Sequence, residues 1–292
     1  MTKVRATPLT PAEIGQYHRD GYLFPVRLLS EAQVIELKKA IGDHLSGKIK
    51  SPTYELTDPI LIRQVTDPSG QIYFEYEEGQ KSEPHTFPFL FNLWKSDDRV
   101  ARVGMNPVIA GMARQLLGVD KLLLMEDNTV IKGPGSKSLP WHQDYAYWPI
   151  AEPAAITVWI ALDDITAANG AMQVVPGSQR FGERLPVSFG DAQAFMGNER
   201  PGVPEVPQDP GALGHEIITY ELKAGEGGFH SAMLWHNSTP NTYPRTRCAF
   251  ILRYLACGTV WLGAARFPYD DVRCAIGEPI SDLHFPLVKT AF

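Results

Sequence analysis

The chain carries no block of basic residues and no excess of them: 27 Lys and Arg stand against 33 Asp and Glu, a net charge of −6. A protein that neutralises phosphates needs the opposite balance, so nucleic acid is excluded as a partner. No apolar run approaches the roughly 20 residues that a membrane-spanning helix requires, and no membrane partner is expected. The opening stretch, Met1 to Gly15, lacks the apolar core of a signal peptide. Cysteine is scarce: Cys248, Cys257 and Cys274 are odd in number and too scattered for a thiolate metal site or a disulfide framework. A reducing cytoplasm is their simplest home. Internal repeats and low-complexity segments are missing as well. What remains is a composition of 44% hydrophobic and 21% charged residues. That is ample for a large core and excludes a disordered chain.

The first third reads as helical. Thr10-Pro11-Ala12-Glu13 has the spacing of a capping box with Pro at the first helical position. A second box, Ser30-Glu31-Ala32-Gln33, precedes Val34, Leu37, Ile41 and Leu45 on one helical stripe. Pro107 to Leu117 forms a further helix closed by Gly118. From about Lys121 the pattern changes to strands and turns. Ile156, Val158, Ile160 and Leu162 alternate with Thr157 and Trp159. Asn169-Gly170 is a hairpin turn signal leading into Met172 to Val175, and residues 247–256 read as another strand. No βαβ alternation occurs, which excludes a doubly wound parallel sheet and favours an antiparallel jelly roll. One domain over 1–292 is expected, with a helical cover to about 120 and the jelly-roll core over about 121–260. Ser51 to Pro88 and Leu185 to Leu213 show no period and read as loops over a site or as surface insertions.

The most informative segment is Trp141-His142-Gln143-Asp144-Tyr145. Residues two apart on a strand share a face, so His142 and Asp144 point to one shared divalent ion. A second histidine must come from a distant strand. His230 and His236 share parity, and the turn-like Asn237-Ser238-Thr239-Pro240 beside His236 modestly favours it, because sites collect at strand ends. Two histidines and one carboxylate leave half an octahedron open, the arrangement of non-haem iron oxygenases. Arg247 opens an apolar strand, and an inward guanidinium there needs an anion, a bidentate carboxylate above all. Arg245 and Arg253 share its parity, which leaves the choice open.

These pieces, in their order, resemble the phytanoyl-CoA dioxygenase family of Fe(II)- and 2-oxoglutarate-dependent oxygenases over nearly the whole chain. The resemblance runs from Leu9-Thr10-Pro11 and His18-Arg19-Asp20-Gly21-Tyr22 through Trp141-His142-Gln143-Asp144 and Trp159-Ile160-Ala161-Leu162-Asp163. It continues through Asn169-Gly170 and Val175-Pro176-Gly177-Ser178 to His236 and Arg247. It implies a double-stranded β-helix with His142, Asp144 and His236 as iron ligands. The family's distal histidine is followed after two residues by Ser and after eleven by Arg, which selects His236, Ser238 and Arg247. Arg247 would clamp the distal carboxylate of 2-oxoglutarate, with Ser238, Gln143, Trp159 and Asn128 as further cosubstrate contacts. Many members carry His after Pro-Gly-Ser, where this chain has Gln179. Asp144 is kept, whereas related halogenases replace it with a small residue, so the resemblance implies an oxygenase that uses O2. The expected reaction is hydroxylation of an unactivated C–H bond of a small molecule, natural products included, with release of succinate and CO2. Desaturation, epimerisation and cyclisation use the same oxidant, and a cupin-like metalloenzyme without 2-oxoglutarate is the rival. Tyr145, Tyr147, Trp148 and Trp235 flank the ligands and are the candidate substrate contacts, followed by Trp261, Arg266 and Phe267.

Overall fold

The computed structural model describes residues 3–50, 62–76, 89–187, 202–264 and 268–292. Both capping boxes form. In helix α1 (Pro11–Asp20) the Thr10 side chain accepts from the backbone N–H of Glu13 while the Glu13 carboxylate accepts from that of Thr10, and Gly21 ends the helix at φ 85°. Helix α2 (Glu31–Leu45) starts the same way at Ser30 and Gln33. Helices α3 (Asp98–Gly104) and α4 (Pro107–Leu117) follow, the second closed by Gly118 in the left-handed conformation.

Thirteen strands are described, all antiparallel: β1 (Tyr22–Arg27), β2 (Ile62–Thr66), β3 (Ile72–Tyr76), β4 (Phe89–Phe91), β5 (Leu122–Lys132), β6 (Leu139–His142), β7 (Ala155–Ala161), β8 (Met172–Val174), β9 (Ile218–Thr219), β10 (Glu226–Ser231), β11 (His236–Ser238), β12 (Arg247–Ala256) and β13 (Leu287–Val288). The larger sheet runs β1-β10-β7-β12-β5-β13, with β4 also on β5, and the smaller runs β6-β11-β8-β9. Trp159, Ala161, Ala249 and Ile251 of the first pack with Met172 and Val174 of the second, so the sheets face each other as a jelly roll. The larger sheet draws strands β1, β4 and β13 from outside 121–260.

The alternation read in β7 separates two cores. Ile156, Val158 and Ile160 join Phe250, Leu252 and Tyr254 of β12 beneath Leu37, Ile41, Ile109 and Leu116 of the helices. The other face of the sheet looks into the roll. Phe250 is fully buried on the helical side, and Phe250→Ala is expected to cost about 3–5 kcal/mol. The check is a lower urea midpoint at unchanged slope.

One stretch is more ordered than its sequence suggests. Within Ser51 to Pro88, β2 and β3 form a hairpin closed by Asp67-Pro68-Ser69-Gly70, where Asp67 Oδ1 accepts from the N–H groups of Ser69 and Gln71. Strand β2 is mostly exposed and polar, which hides its period. The hairpin is anchored by Lys38, whose Nζ donates to Ile72 O at 2.6 Å and pairs with Asp163. Asp163 also accepts from the Cys248 N–H at 2.8 Å, which pins the start of β12 beside Arg247. Residues 51–61, 77–88 and 188–201, with Phe189, Phe195 and Met196, lie outside the described residues, as do Arg266 and Phe267.

Candidate metal centre

Register aligns the interior side chains of the larger sheet in rows. Lys132 stands beside Arg247. Val130, Ala249 and Ala161 form the next row, then Asn128, Ile251, Trp159 and Gly228, then Glu126, Arg253, Thr157 and His230. From Arg247 to Arg253 is six residues of strand, roughly 20 Å at about 3.3 Å each. Small side chains occupy the second row, between one cationic end and the other.

The smaller sheet supplies two imidazoles over the far rows. His142 ends β6, His236 opens β11, and the two are cross-strand partners with ring centroids 4.1 Å apart. Each ring is fixed by a carbonyl two residues earlier: His142 Nδ1 donates to Pro140 O at 2.9 Å and His236 Nδ1 to Leu234 O at 3.0 Å. A carbonyl only accepts, so the proton is on Nδ1 and the Nε2 lone pair is the ligand atom. Asp144 begins a short 3-10 turn, Asp144–Tyr147, directly after β6. Among the described residues, His142, Asp144 and His236 form a buried group whose ligand atoms all lie within 4.8 Å of one another. Nitrogen, nitrogen and carboxylate oxygen at that spacing fit a divalent transition metal.

Electrostatics prepare these groups for a cation. Burial pulls both His142 and His236 below the usual imidazole range, and at His236 the neighbouring His142 adds to it. Both rings are therefore neutral donors at neutral pH. Burial alone would push Asp144 up, but the Arg253 guanidinium and the His236 and His230 rings outweigh it and hold the carboxyl well below its ordinary value. Its Oδ2 accepts from Thr157 Oγ1 at 2.6 Å and lies 3.3 Å from His230 Nε2. Its Oδ1 lies 3.3 Å from Arg253 Nη2 and 3.8 Å from His236 Nε2. His230 thus stands behind the carboxylate, on the oxygen that Thr157 holds. Arg253 is in turn paired with Glu126, which also accepts from the Tyr269 hydroxyl at 2.5 Å.

The remaining candidates divide by where their polar atoms go. Arg247 is buried at 2% exposure, with its guanidinium carbon 5.6 Å from the Trp159 ring. One nitrogen donates to Gly170 O at 2.6 Å, while Nε and Nη1 have no partner. Burial lowers it only to about 10, so it is cationic at neutral pH. Ser238 Oγ accepts from Lys132 Nζ at 2.9 Å. Asn128 is buried in the Trp159 row with its Oδ1 unpartnered. Gln143 is fully buried, but its amide is spent on Gly182 O, Met233 O and the Arg184 N–H, which fastens the ligand turn to the following loop. Gln179 bonds His18 O and Arg19 O and ties down the end of α1.

Of the aromatic residues, Tyr147 sits edge-on to His142 at 6.0 Å, its hydroxyl engaged by the backbone of Val187. Trp148 lies under the Arg253 guanidinium at 5.5 Å. Tyr145 donates to Ala151 O and packs with Leu123, Met125 and Trp261. Trp235 packs in a separate cluster with Trp141, Val175 and Val206. Sequence reading passed over Glu126, Thr157, Lys132 and Tyr269 and left Arg253 undecided. The available signal was parity: Glu126 and Lys132 share a face with Asn128, and Thr157 with Trp159.

Comparison with known proteins agrees with this architecture. The family model described as phytanoyl-CoA dioxygenase (PhyH) matches residues 17–249. L-proline trans-4-hydroxylase of Streptomyces griseoviridis is 26% identical over 269 residues, covering 85% of this chain and 87% of that one. Ectoine dioxygenase of Bordetella parapertussis is 24% identical over 263 residues, covering 85% and 76%. Among solved structures, the non-heme alpha ketoglutarate dependent carbocyclase SnoK from nogalamycin biosynthesis superposes with a TM-score of 0.69 at 21% identity, over 96% of each chain. EctD from S. alaskensis, solved with 2-oxoglutarate and 5-hydroxyectoine, gives 0.64 at 23% identity over 99% of this chain and 91% of that one. At these identities the structures speak for the fold.

Proposed function

The chain belongs to the phytanoyl-CoA dioxygenase family and is an Fe(II)- and 2-oxoglutarate-dependent dioxygenase, and we propose that it hydroxylates an unactivated C–H bond of a small molecule. His142, Asp144 and His236 would hold the iron, and Arg247 the distal carboxylate of 2-oxoglutarate. Relatives named for proline and ectoine support a small substrate. We read 1–292 as one dioxygenase domain, and the free cysteines support a reducing compartment such as the cytoplasm.

The observation that carries the cosubstrate reading is Arg247: a buried cation with two unpartnered nitrogens. An unpaired buried charge is costly, and a dicarboxylate relieves it. A cupin-like enzyme without 2-oxoglutarate would have no use for that residue. When bound, iron with 2-oxoglutarate and dioxygen supplies an oxidant for a C–H bond while the cosubstrate loses CO2 and becomes succinate. The chain's own residues do the rest. Two neutral imidazoles and one carboxylate would hold the metal with few enough protein donors for the cosubstrate and dioxygen to bind as well. Ala161 and Ala249 put only short side chains on the interior row between the ligand rows and Arg247. Trp159 stands in the next row, and Tyr147 and Trp148 flank the ligands where substrate would approach.

The test is anaerobic. Fe(II) and 2-oxoglutarate together should produce a weak visible absorption band that neither gives alone, and small-molecule candidates are then screened for triggered succinate release. Product mass identifies the outcome: a gain of one oxygen for hydroxylation, a loss of two hydrogens for desaturation or ring closure, no change for epimerisation. No band with well-folded protein overturns the reading.

A further inference from the structure

Behind the ligand carboxylate runs a line of buried side chains that three metal ligands alone do not require. Arg253 Nη2 lies 3.3 Å from Asp144 Oδ1, and its Nη1 pairs closely with Glu126 Oε1. Glu126 is buried at 2% exposure, and its second oxygen accepts from the Tyr269 hydroxyl at 2.5 Å. Tyr269 is buried too, and it lies beyond residues 17–249, the span of the family match. Its turn is fastened on both sides: Asn92 Nδ2 donates to Pro268 O at 3.3 Å, and Lys95 pairs with Asp271 at 2.5 Å. The Tyr269 ring sits edge-on to Trp261. A turn of the C-terminal segment thus reaches Asp144 through Glu126 and Arg253.

This line acts on Asp144 by charge. Thr157 takes Oδ2, and Oδ1 is the oxygen that faces His236 Nε2, at 3.8 Å. A guanidinium seated squarely on Oδ1 would occupy the ligand atom and repel an arriving cation. Arg253 instead makes its close contact with Glu126 and its loose one with Asp144. Removing Arg253 would leave two buried carboxylates unpaired, which is costly. Removing the Glu126 charge would release the whole guanidinium to Asp144. Glu126 therefore draws Arg253 back, and it does so only from a fixed position. A hydrogen bond from a buried phenol to a carboxylate is strong and short, and it supplies that fixture.

We propose that Tyr269 is a positioning residue of the metal centre: by holding Glu126 it keeps Arg253 from closing on Asp144, so that Oδ1 stays available to the ion. The proposal rests on the reading of His142, Asp144 and His236 as the ligands and extends that site to the C-terminal segment.

The experiment titrates Co(II) into the full-length apo-protein and follows its ligand-field absorption. Tyr269→Phe removes one oxygen and keeps the ring in its packing. Its affinity should fall about three- to tenfold, less than the 10- to 100-fold of a direct outer partner, because it acts through two other side chains. The absorption band should shift as Arg253 crowds the carboxylate. Glu126→Gln, which cuts the pull on Arg253 directly, should cost about tenfold or more. In the Glu126→Gln background Tyr269→Phe should change nothing further, the non-additivity of groups that act in series. A merely structural Tyr269 would lower the urea midpoint, leave the Co(II) spectrum as in the wild type and add its full effect to Glu126→Gln. An unchanged spectrum or full additivity overturns the proposal. Where Glu126→Gln does not fold, the affinity and spectrum of Tyr269→Phe decide alone. Failure of the wild type to bind Co(II) overturns the ligand reading itself, and the proposal with it.

Discussion

Replacing His236 with Ala is expected to abolish metal binding, while replacing His230 with Ala leaves the metal bound. Both rings are buried and their centroids are 4.8 Å apart, yet they do different work. His236 is aligned by Leu234 O so that Nε2 meets the ligand atoms of His142 and Asp144. Its loss removes one of three ligands and should exceed the 10- to 100-fold typical of outer partners. His230 reaches the group through Asp144 Oδ2, which Thr157 holds more closely at 2.6 Å. Its loss should therefore cost no more than about tenfold, at the low end of that range. Titrating Co(II) into the apo-proteins and following its ligand-field absorption measures both. Loss of binding in the His230 variant with binding kept in the His236 variant would mean that His230, not His236, completes the centre.

This contrast marks where sequence stops informing. Local chemistry was legible: both capping boxes, the glycine that ends α4, the alternation of β7 and the bounds of β12 follow from short-range pattern and recur in the structure. Parity was legible too, but only as a choice between faces. In β12 nearly every residue is buried on both faces, so Arg247 and Arg253 look equivalent from the chain alone. What separates them is register with distant strands. Arg253 falls opposite Glu126 and Thr157 and finds two carboxylates, Glu126 and Asp144. Arg247 falls opposite Lys132 and finds none among its hydrogen-bond partners. One strand thus carries a neutralised guanidinium behind the candidate metal ligands and an unsatisfied one at the far end. The aromatic residues beside the ligands in sequence also part in space. Tyr145, Tyr147 and Trp148 share one cluster with Trp261, whereas Trp235 packs in another with Trp141 and Val175.

That unsatisfied guanidinium yields the second large effect, one whose two halves have opposite signs. Arg247→Met should weaken 2-oxoglutarate by about 30- to several-thousandfold, since losing one member of a buried charge pair costs 2–5 kcal/mol. Metal affinity should stay as in the wild type, because Arg247 touches no ligand. Stability of the protein without cosubstrate should nevertheless hold or rise. Each unsatisfied buried polar group costs about 1–3 kcal/mol, and Arg247 has two such nitrogens. Methionine fills most of the stem's volume without them. Against this stands the lost hydrogen bond to Gly170 O, worth about 1.5–3 kcal/mol from a charged donor. The balance lies near zero or slightly in favour of the variant, unlike the 3–5 kcal/mol lost when a paired buried charge is broken. Urea denaturation with and without 2-oxoglutarate reads both halves. The wild type should gain stability from the ligand by mass action, and the variant should gain markedly less at the same ligand concentration. If Arg247→Met instead unfolds the protein and leaves the ligand's stabilising effect intact in what remains folded, then Arg247 is a structural cation and the diacid is seated elsewhere.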